Sequence, residues 1–166
     1  MKRRELMLGA AALTVAGCSD SKISRKYFGP LADGIIVRKG ERRLFLLNGK
    51  QVIASYDVDL GFTPKGHKLK SGDGRTPEGQ YFIDRRNYNS AYHLSLGISY
   101  PNARDRARAR AAGVSPGGDI FIHGGPRLLA DRGKPDWTAG CISVTDAQME
   151  MIFQMVPVGT PIWITA

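Results

Sequence analysis

From Gly34 onward, short apolar runs alternate with polar or glycine-containing breaks, the pattern of a strand-rich domain. Ile35-Ile36-Val37 and Arg43 to Leu47 are two such runs, parted by Lys39-Gly40-Glu41. Asn48-Gly49 predicts a type I′ hairpin turn. The returning segment then puts Val52, Ala54, Tyr56, Val58 and Leu60 on one face and Ile53, Ser55, Asp57 and Asp59 on the other. Gly61 to Gly79 holds five glycines and two prolines and reads as loop, followed by a strand over Gln80 to Asp84. Alternation resumes at Tyr92, with Tyr92, Leu94, Leu96 and Ile98 facing one way and His93, Ser95, Gly97 and Ser99 the other. That second row suits either the floor of a polar cleft or an outer, solvated face. Ile120 to Ile122 is a short buried run ending on His123 and a Gly-Gly-Pro break, and Pro161 to Thr165 is a closing strand.

Helical periodicity occurs twice. Asn102 is placed to cap a helix over Ala103 to Ala112, stopped by Gly113; its four arginines do not share one face, so it reads as solvated. Thr145-Asp146-Ala147-Gln148 is a capping box, and the helix it opens would bury Met149, Ile152, Phe153 and Val156. The sum is a mainly β domain, a sandwich or half-barrel of about six to eight strands with two or three short helices.

The N-terminus has a different character. Lys2, Arg3 and Arg4 precede the apolar stretch Leu6 to Val15, and Val15-Ala16-Gly17-Cys18 resembles a bacterial lipobox. The apolar stretch is too short to span a bilayer. The expected organisation is an export signal over 1–17, a polar tether over 18–33 starting at a lipidated Cys18, and one domain over 34–166. A formal charge of +9 favours anionic partners, and for an exported chain these are membrane and cell-wall polymers rather than nucleic acid. Of the two cysteines, lipidation of Cys18 would leave Cys141 as the one free thiol in an oxidising compartment, where an unused thiol is a liability.

His123 and Cys141 sit at neighbouring breaks in two apolar runs, the arrangement a thiol nucleophile and an imidazole base require. Spacing alone does not separate this from a structural histidine and an inert buried thiol. Zinc held by His67, His93, His123 and Cys141 is disfavoured because no two of them have ligand-pair spacing, and no metal or cofactor is expected. Gly72-Asp73-Gly74-Arg75-Thr76-Pro77 lacks the Gly-Lys-Ser/Thr of a phosphate loop. His67, in the same loop, reads as solvated.

His123-Gly124, and then Thr138-Ala139-Gly140-Cys141-Ile142-Ser143, resemble the signature of the YkuD-type L,D-transpeptidases: His-Gly and, one loop later, Ser/Thr-His-Gly-Cys. The resemblance extends through Gly72 to Tyr81 and Tyr92 to Asn102, and departs at Ala139, where the signature has His; a branch of the family is similar in having Ala there. It implies a cell-wall acyltransferase, with Cys141 as nucleophile, His123 as base oriented by a carbonyl at Gly124, and the Gly140 and Cys141 N–H groups as oxyanion donors. The implied donor is a peptidoglycan stem peptide, and the acceptor a second stem, a protein lysine or water. Arg75 and Arg127 are candidates to grip stem carboxylates. His93, Ser95, Ala139 and Ser143 are candidates to line the cleft, while Trp137 lines the acyl site or simply packs. A monomer on the periplasmic face is expected. A binding lipoprotein that kept the fold without activity would explain the charge and tether, but not the His, Gly and Cys set.

Overall fold

The computed structural model describes residues 22–166; the expected export signal over 1–17 and Cys18 lie outside the described residues. Eight strands form one curled sheet. They are β1 (Gly34–Arg38), β2 (Arg43–Asn48), β3 (Gln51–Asp57), β4 (Gly79–Asn87), β5 (Ser95–Ile98), β6 (Phe121–His123), β7 (Ile142–Ser143) and β8 (Pro161–Thr165). Among the described residues, the two helices are α1 (Ala103–Ala111) and α2 (Asp146–Met155), and a single 3₁₀ turn covers Leu129–Asp131. This is the expected mainly β half-barrel.

The strand order is β3-β2-β1-β8-β4-β5-β6-β7, so the C-terminal strand is central. It pairs parallel with β1 and antiparallel with β4. The first half of β4 pairs with β8 and the second half with β5, and the register shifts between Ile83 and Arg85. A bulge of this kind bends a strand and increases its twist, which lets one long strand carry the sheet around its curl. β6 and β7 then complete the far edge as a parallel pair.

One core fills the concave side. Helix α2 packs over β5 and β6, with Met149, Ile152, Phe153 and Val156 all fully buried. Its N-terminus is closed by the Thr145 and Gln148 capping box. Helix α1 has almost no apolar face, burying Asp105 and Ala109. It is held by polar contacts instead: Asp105 accepts from the Tyr81 hydroxyl at 3.0 Å and lies 3.1 Å from His67 Nε2. His67 is therefore a half-buried docking residue, not a solvated one.

Three local expectations are corrected. Asn48 pairs with Gln51, so the hairpin loop is Gly49-Lys50; only Gly49 has positive φ, whereas a type I′ turn needs two such residues. A register shift after Leu46 leaves Ile53 as the extra residue of β3, so Ile53, Ala54 and Tyr56 pack on the core while Val52 is exposed. Residues 22–33 are not a free tether. Lys22 Nζ donates to His93 O, Ser24 N and Oγ donate to Glu150, Tyr27 N donates to Gln154, and Ala32 N donates to Met155 O. The segment is polar, but Ser24, Tyr27 and Ala32 are bonded to α2.

The loop between β3 and β4 is ordered by one carboxylate. Asp73 accepts from the N–H groups of Leu69, Lys70 and Arg75 and from Lys68 Nζ. Burial raises its pKa, but the Lys68 ammonium and these N–H groups outweigh that and hold the carboxyl at about 2, below the ordinary 3.8. A depressed carboxylate stabilises the fold above its unfolded pKa and loses that contribution as the pH falls through the folded one. Urea titrations should therefore show roughly 2 kcal/mol lost between about pH 4 and pH 2. The Asp73→Asn protein should lack that step and start lower at neutral pH.

Candidate active site

His123 ends β6 and is buried, 4 % exposed. Its Nδ1 lies 2.6 Å from the carbonyl of Gly124. A carbonyl oxygen only accepts, so Nδ1 carries the proton, and in the neutral ring Nε2 carries the lone pair. Burial pushes the imidazole below the usual histidine range; the Gly124 carbonyl opposes this and the Arg127 charge adds to it. The ring is gripped by aromatics, Tyr92 at 4.5 Å and Trp137 edge-on at 5.6 Å between centroids. Tyr92 also accepts the Gly124 N–H through its backbone carbonyl. Gly124 is tightly boxed: a Cβ there would lie 3.0 Å from Tyr92 O and collide with the Asp146 carboxylate.

Cys141 is a free thiol one residue before β7. Ile142 pairs with Ile122 and Ser143 with His123 in the parallel ladder. Stepping back one residue puts Cys141 level with Phe121, on the face that His123 and Ser143 share. Strand spacing and rise then separate the His123 and Cys141 Cα atoms by roughly 8 Å, within side-chain reach. The thiol itself turns to the carbonyl of Asp119, at 3.5 Å. Burial pushes the thiol pKa up, the Phe121 N–H pulls it back, the Asp119 charge adds to the rise and Lys68 opposes it. Each shift favours the neutral form of its group.

The turn that delivers Cys141 is built by Thr138. Its hydroxyl donates to Cys141 O at 2.8 Å and accepts the Gly140 N–H at 3.2 Å. Gly140 has φ 135°, and a Cβ there would sit 2.7 Å from Arg75 O. Only glycine satisfies both conditions. Upstream, Asp136 accepts from Arg42, Nε reaching both carboxylate oxygens and Nη2 one, and from Leu60 N, while its own N–H goes to Asp59. The loop between His123 and Cys141 is therefore stapled to the β1–β2 corner.

The YkuD family, the L,D-transpeptidase catalytic domain, matches residues 32–164. The chain belongs to that family. It is 28 % identical over 155 residues to "Putative L,D-transpeptidase YafK" of Escherichia coli K12, covering 88 % of this chain and 57 % of that protein. Among solved structures, the helical cell shape determining protein Pgp2 of Campylobacter jejuni shares the fold with a TM-score of 0.63 at 23 % identity, over 87 % of this chain and 51 % of that one. An L,D-transpeptidase from Mycobacterium smegmatis matches with a TM-score of 0.54 at 14 % identity, over 81 % of this chain and 59 % of that one. The chain thus spans little more than half the length of these proteins.

Within this YkuD-type domain the sequence-derived candidates do not all converge. Ser95 and Ser143, both buried, pair through the backbone with His123 from either side. Ala139 is exposed, two residues before Cys141. Trp137 covers the imidazole, and its Nε1 is buried with no acceptor. His93 leaves the group: with φ 72° it breaks the alternation, and its Nε2 turns to Glu150 at 3.0 Å. The strand begins only at Ser95 and is buried throughout, so the row is not a solvated outer face. Arg127 is paired with Asp146 at 2.8 Å. Arg75 lays its backbone on Gly140 but sends its guanidinium toward His67 O and Gly66. The Gly140 N–H is occupied by Thr138, leaving the Cys141 N–H as the donor at the turn. Sequence reading gave no site role to Thr138, Tyr92, Arg42 or Asp136; Thr138 heads the Thr-Ala-Gly-Cys run and Tyr92 the second resembling segment, whereas Arg42 and Asp136 stand in no recognisable motif.

Alkylation of Cys141 by iodoacetamide should be slow at neutral pH and should rise with an inflection above the ordinary thiol value of 9.0. A fast, pH-independent reaction near neutrality would show a preformed thiolate instead. Gly140→Ala should displace the Arg75 carbonyl and the Cys141 backbone together. The expected cost is roughly 2 kcal/mol or more in thermal or urea unfolding, from the left-handed backbone and the close contact combined.

Proposed function

We propose that the domain is a cysteine acyltransferase acting on peptidoglycan stem peptides. The observation that carries this reading is the Nδ1–H···O=C bond from His123 to Gly124, which fixes the tautomer and leaves a basic Nε2 beside the strand that Cys141 heads. Cys141 gives its proton to His123 Nε2 as sulfur attacks the stem-peptide carbonyl. The oxyanion of the tetrahedral intermediate takes a hydrogen bond from the Cys141 N–H, an interaction commonly worth about 3 kcal/mol. His123 then returns the proton to the leaving amine, the C–N bond breaks and a thioester remains on Cys141. An amine of a second stem or a protein, or water, attacks the thioester while His123 takes its proton; the C–S bond then breaks and His123 returns the proton to the Cys141 sulfur.

A base with a lowered pKa and a thiol with a raised one suit this sequence, because the proton moves only as the carbonyl is attacked. The exposed Ala139 leaves the approach to the thioester open to any of these acceptors. The cell-wall substrate agrees with an exported protein held to the membrane by a lipid on Cys18. An inert binding role has no use for a tautomer-locked histidine.

Intact-mass measurement after mixing with a stem tetrapeptide tests the mechanism directly. Wild-type protein should gain the acyl mass and Cys141→Ala should gain none. His123→Ala should acylate slower by about 10²–10⁴-fold while staying folded. The double replacement should be no worse than Cys141→Ala, since the two residues act as one proton-transfer unit. An adduct on the Cys141→Ala protein, or full turnover by His123→Ala, would overturn the assignment. Mass spectrometry of the products from purified wall fragments then identifies the acceptor.

A further inference from the structure

Beside the catalytic turn, a cavity of about 590 Å³ lies between the β3–β4 loop and the C-terminal end of α1. It is lined by Thr63, Leu69, Lys70, Arg75, Arg108 and Val114, with Asp73 and Ala112 completing the wall; neither His123 nor Cys141 contributes. Its size is that of a small-molecule or short-peptide site. Two of its apolar side chains are displayed to solvent rather than packed, Leu69 at 44 % and Val114 at 37 % exposure.

The charge around it is one-sided. Asp73 is the only acid in the wall, and it is already consumed by Lys68 and three backbone N–H groups. Among the described residues, neither Lys70 nor Arg75 has a carboxylate within 4.0 Å, and Arg108 has only a long contact to Asp105, at 3.8 Å. The Arg75 guanidinium makes one marginal bond, to His67 O at 3.5 Å. Three cations with unspent donors thus rim an apolar floor.

We propose that this cavity is a second binding site, separate from the Cys141 cleft, for an amphipathic carboxylate. The carboxylate sits between Arg75 and Arg108, where guanidinium forks bind it in pairs of hydrogen bonds, and Lys70 adds a point charge. The aliphatic body of the ligand lies on Leu69, Ala112 and Val114. An amine of the same shape is repelled. Two sources share this chemistry, a free fatty acid and the C-terminus of a peptide ending in small aliphatic residues, and two probes separate them.

The protein is titrated with octanoate, with N-acetyl-D-alanyl-D-alanine and with octylamine, and backbone amide NMR shifts are followed. Saturable shifts at Leu69, Ala112 and Val114 with at least one carboxylate, and none with octylamine, are expected; the carboxylate that binds names the source. The Arg75→Gln, Arg108→Gln double variant should bind about ten-fold more weakly or worse, with unchanged circular dichroism. Val114→Asp, a change on an exposed position, should abolish binding by placing a negative charge on the floor. The proposal is overturned if neither carboxylate shifts these amides, if octylamine binds equally well, or if the folded double variant binds as the wild type does. None of these readouts involves acylation of Cys141, so failure here and failure of the acyltransferase reading are distinguishable.

Discussion

A histidine buried at the end of a strand must have its ring N–H satisfied on the spot, and here the next residue's carbonyl does it. Much of the site follows from that one hydrogen bond. The carbonyl can reach Nδ1 only if the chain turns sharply after His123, which requires Gly124 to have no side chain between Tyr92 and Asp146. Tyr92 in turn accepts the Gly124 N–H and lays its ring on the imidazole. Trp137 closes the remaining side. The imidazole has one tautomer and little freedom, which is what the proposed role as a base requires.

The second half of the site solves a different problem, how to hold a cysteine at the mouth of a very short strand. β7 has two residues and cannot position Cys141 through its ladder alone. Thr138 and Asp136 supply the missing constraints by bonding side chains to backbone. The first closes the turn on itself and the second ties it to Arg42 and Leu60. Arg42 adopts φ 53°, an uncommon conformation for a long side chain, at the corner where it reaches Asp136. Its strain is set against a bidentate charge-assisted pair that is mostly shielded on the Asp136 side.

Glycines mark where backbone approaches backbone. Gly140 lies against the Arg75 carbonyl, and Gly61 packs against Gly74 and Gly140. Through these contacts the β3–β4 loop is a wall of the turn that carries Cys141. Asp73, which orders that loop, therefore supports both the turn on one side and the cationic cavity on the other. This shared wall explains why a glycine-rich stretch that resembled idle loop is fixed by so many hydrogen bonds.

What the sequence determined by itself was everything with a local cause. The strand periodicities, both helix caps, the buried stripe of α2 and the His–Gly and Thr-x-Gly-Cys pair follow from side-chain spacing and nearby hydrogen bonds, and each is legible without a fold. Only the tertiary structure decided which polar residues face the chemistry. His93 and Arg75 carried the right groups at plausible positions, yet a positive φ turned one to Glu150, and a guanidinium directed away from Gly140 took the other into a separate cavity. Likewise residues 22–33 carry the composition of a tether, but partners more than a hundred residues distant on α2 hold them down. The bulge at Ile53 reversed which face of β3 Val52 occupies, because one extra residue in a period-two pattern inverts it. Long-range pairing and single-residue register leave no periodic trace in the chain, and those two things chose the members of the site.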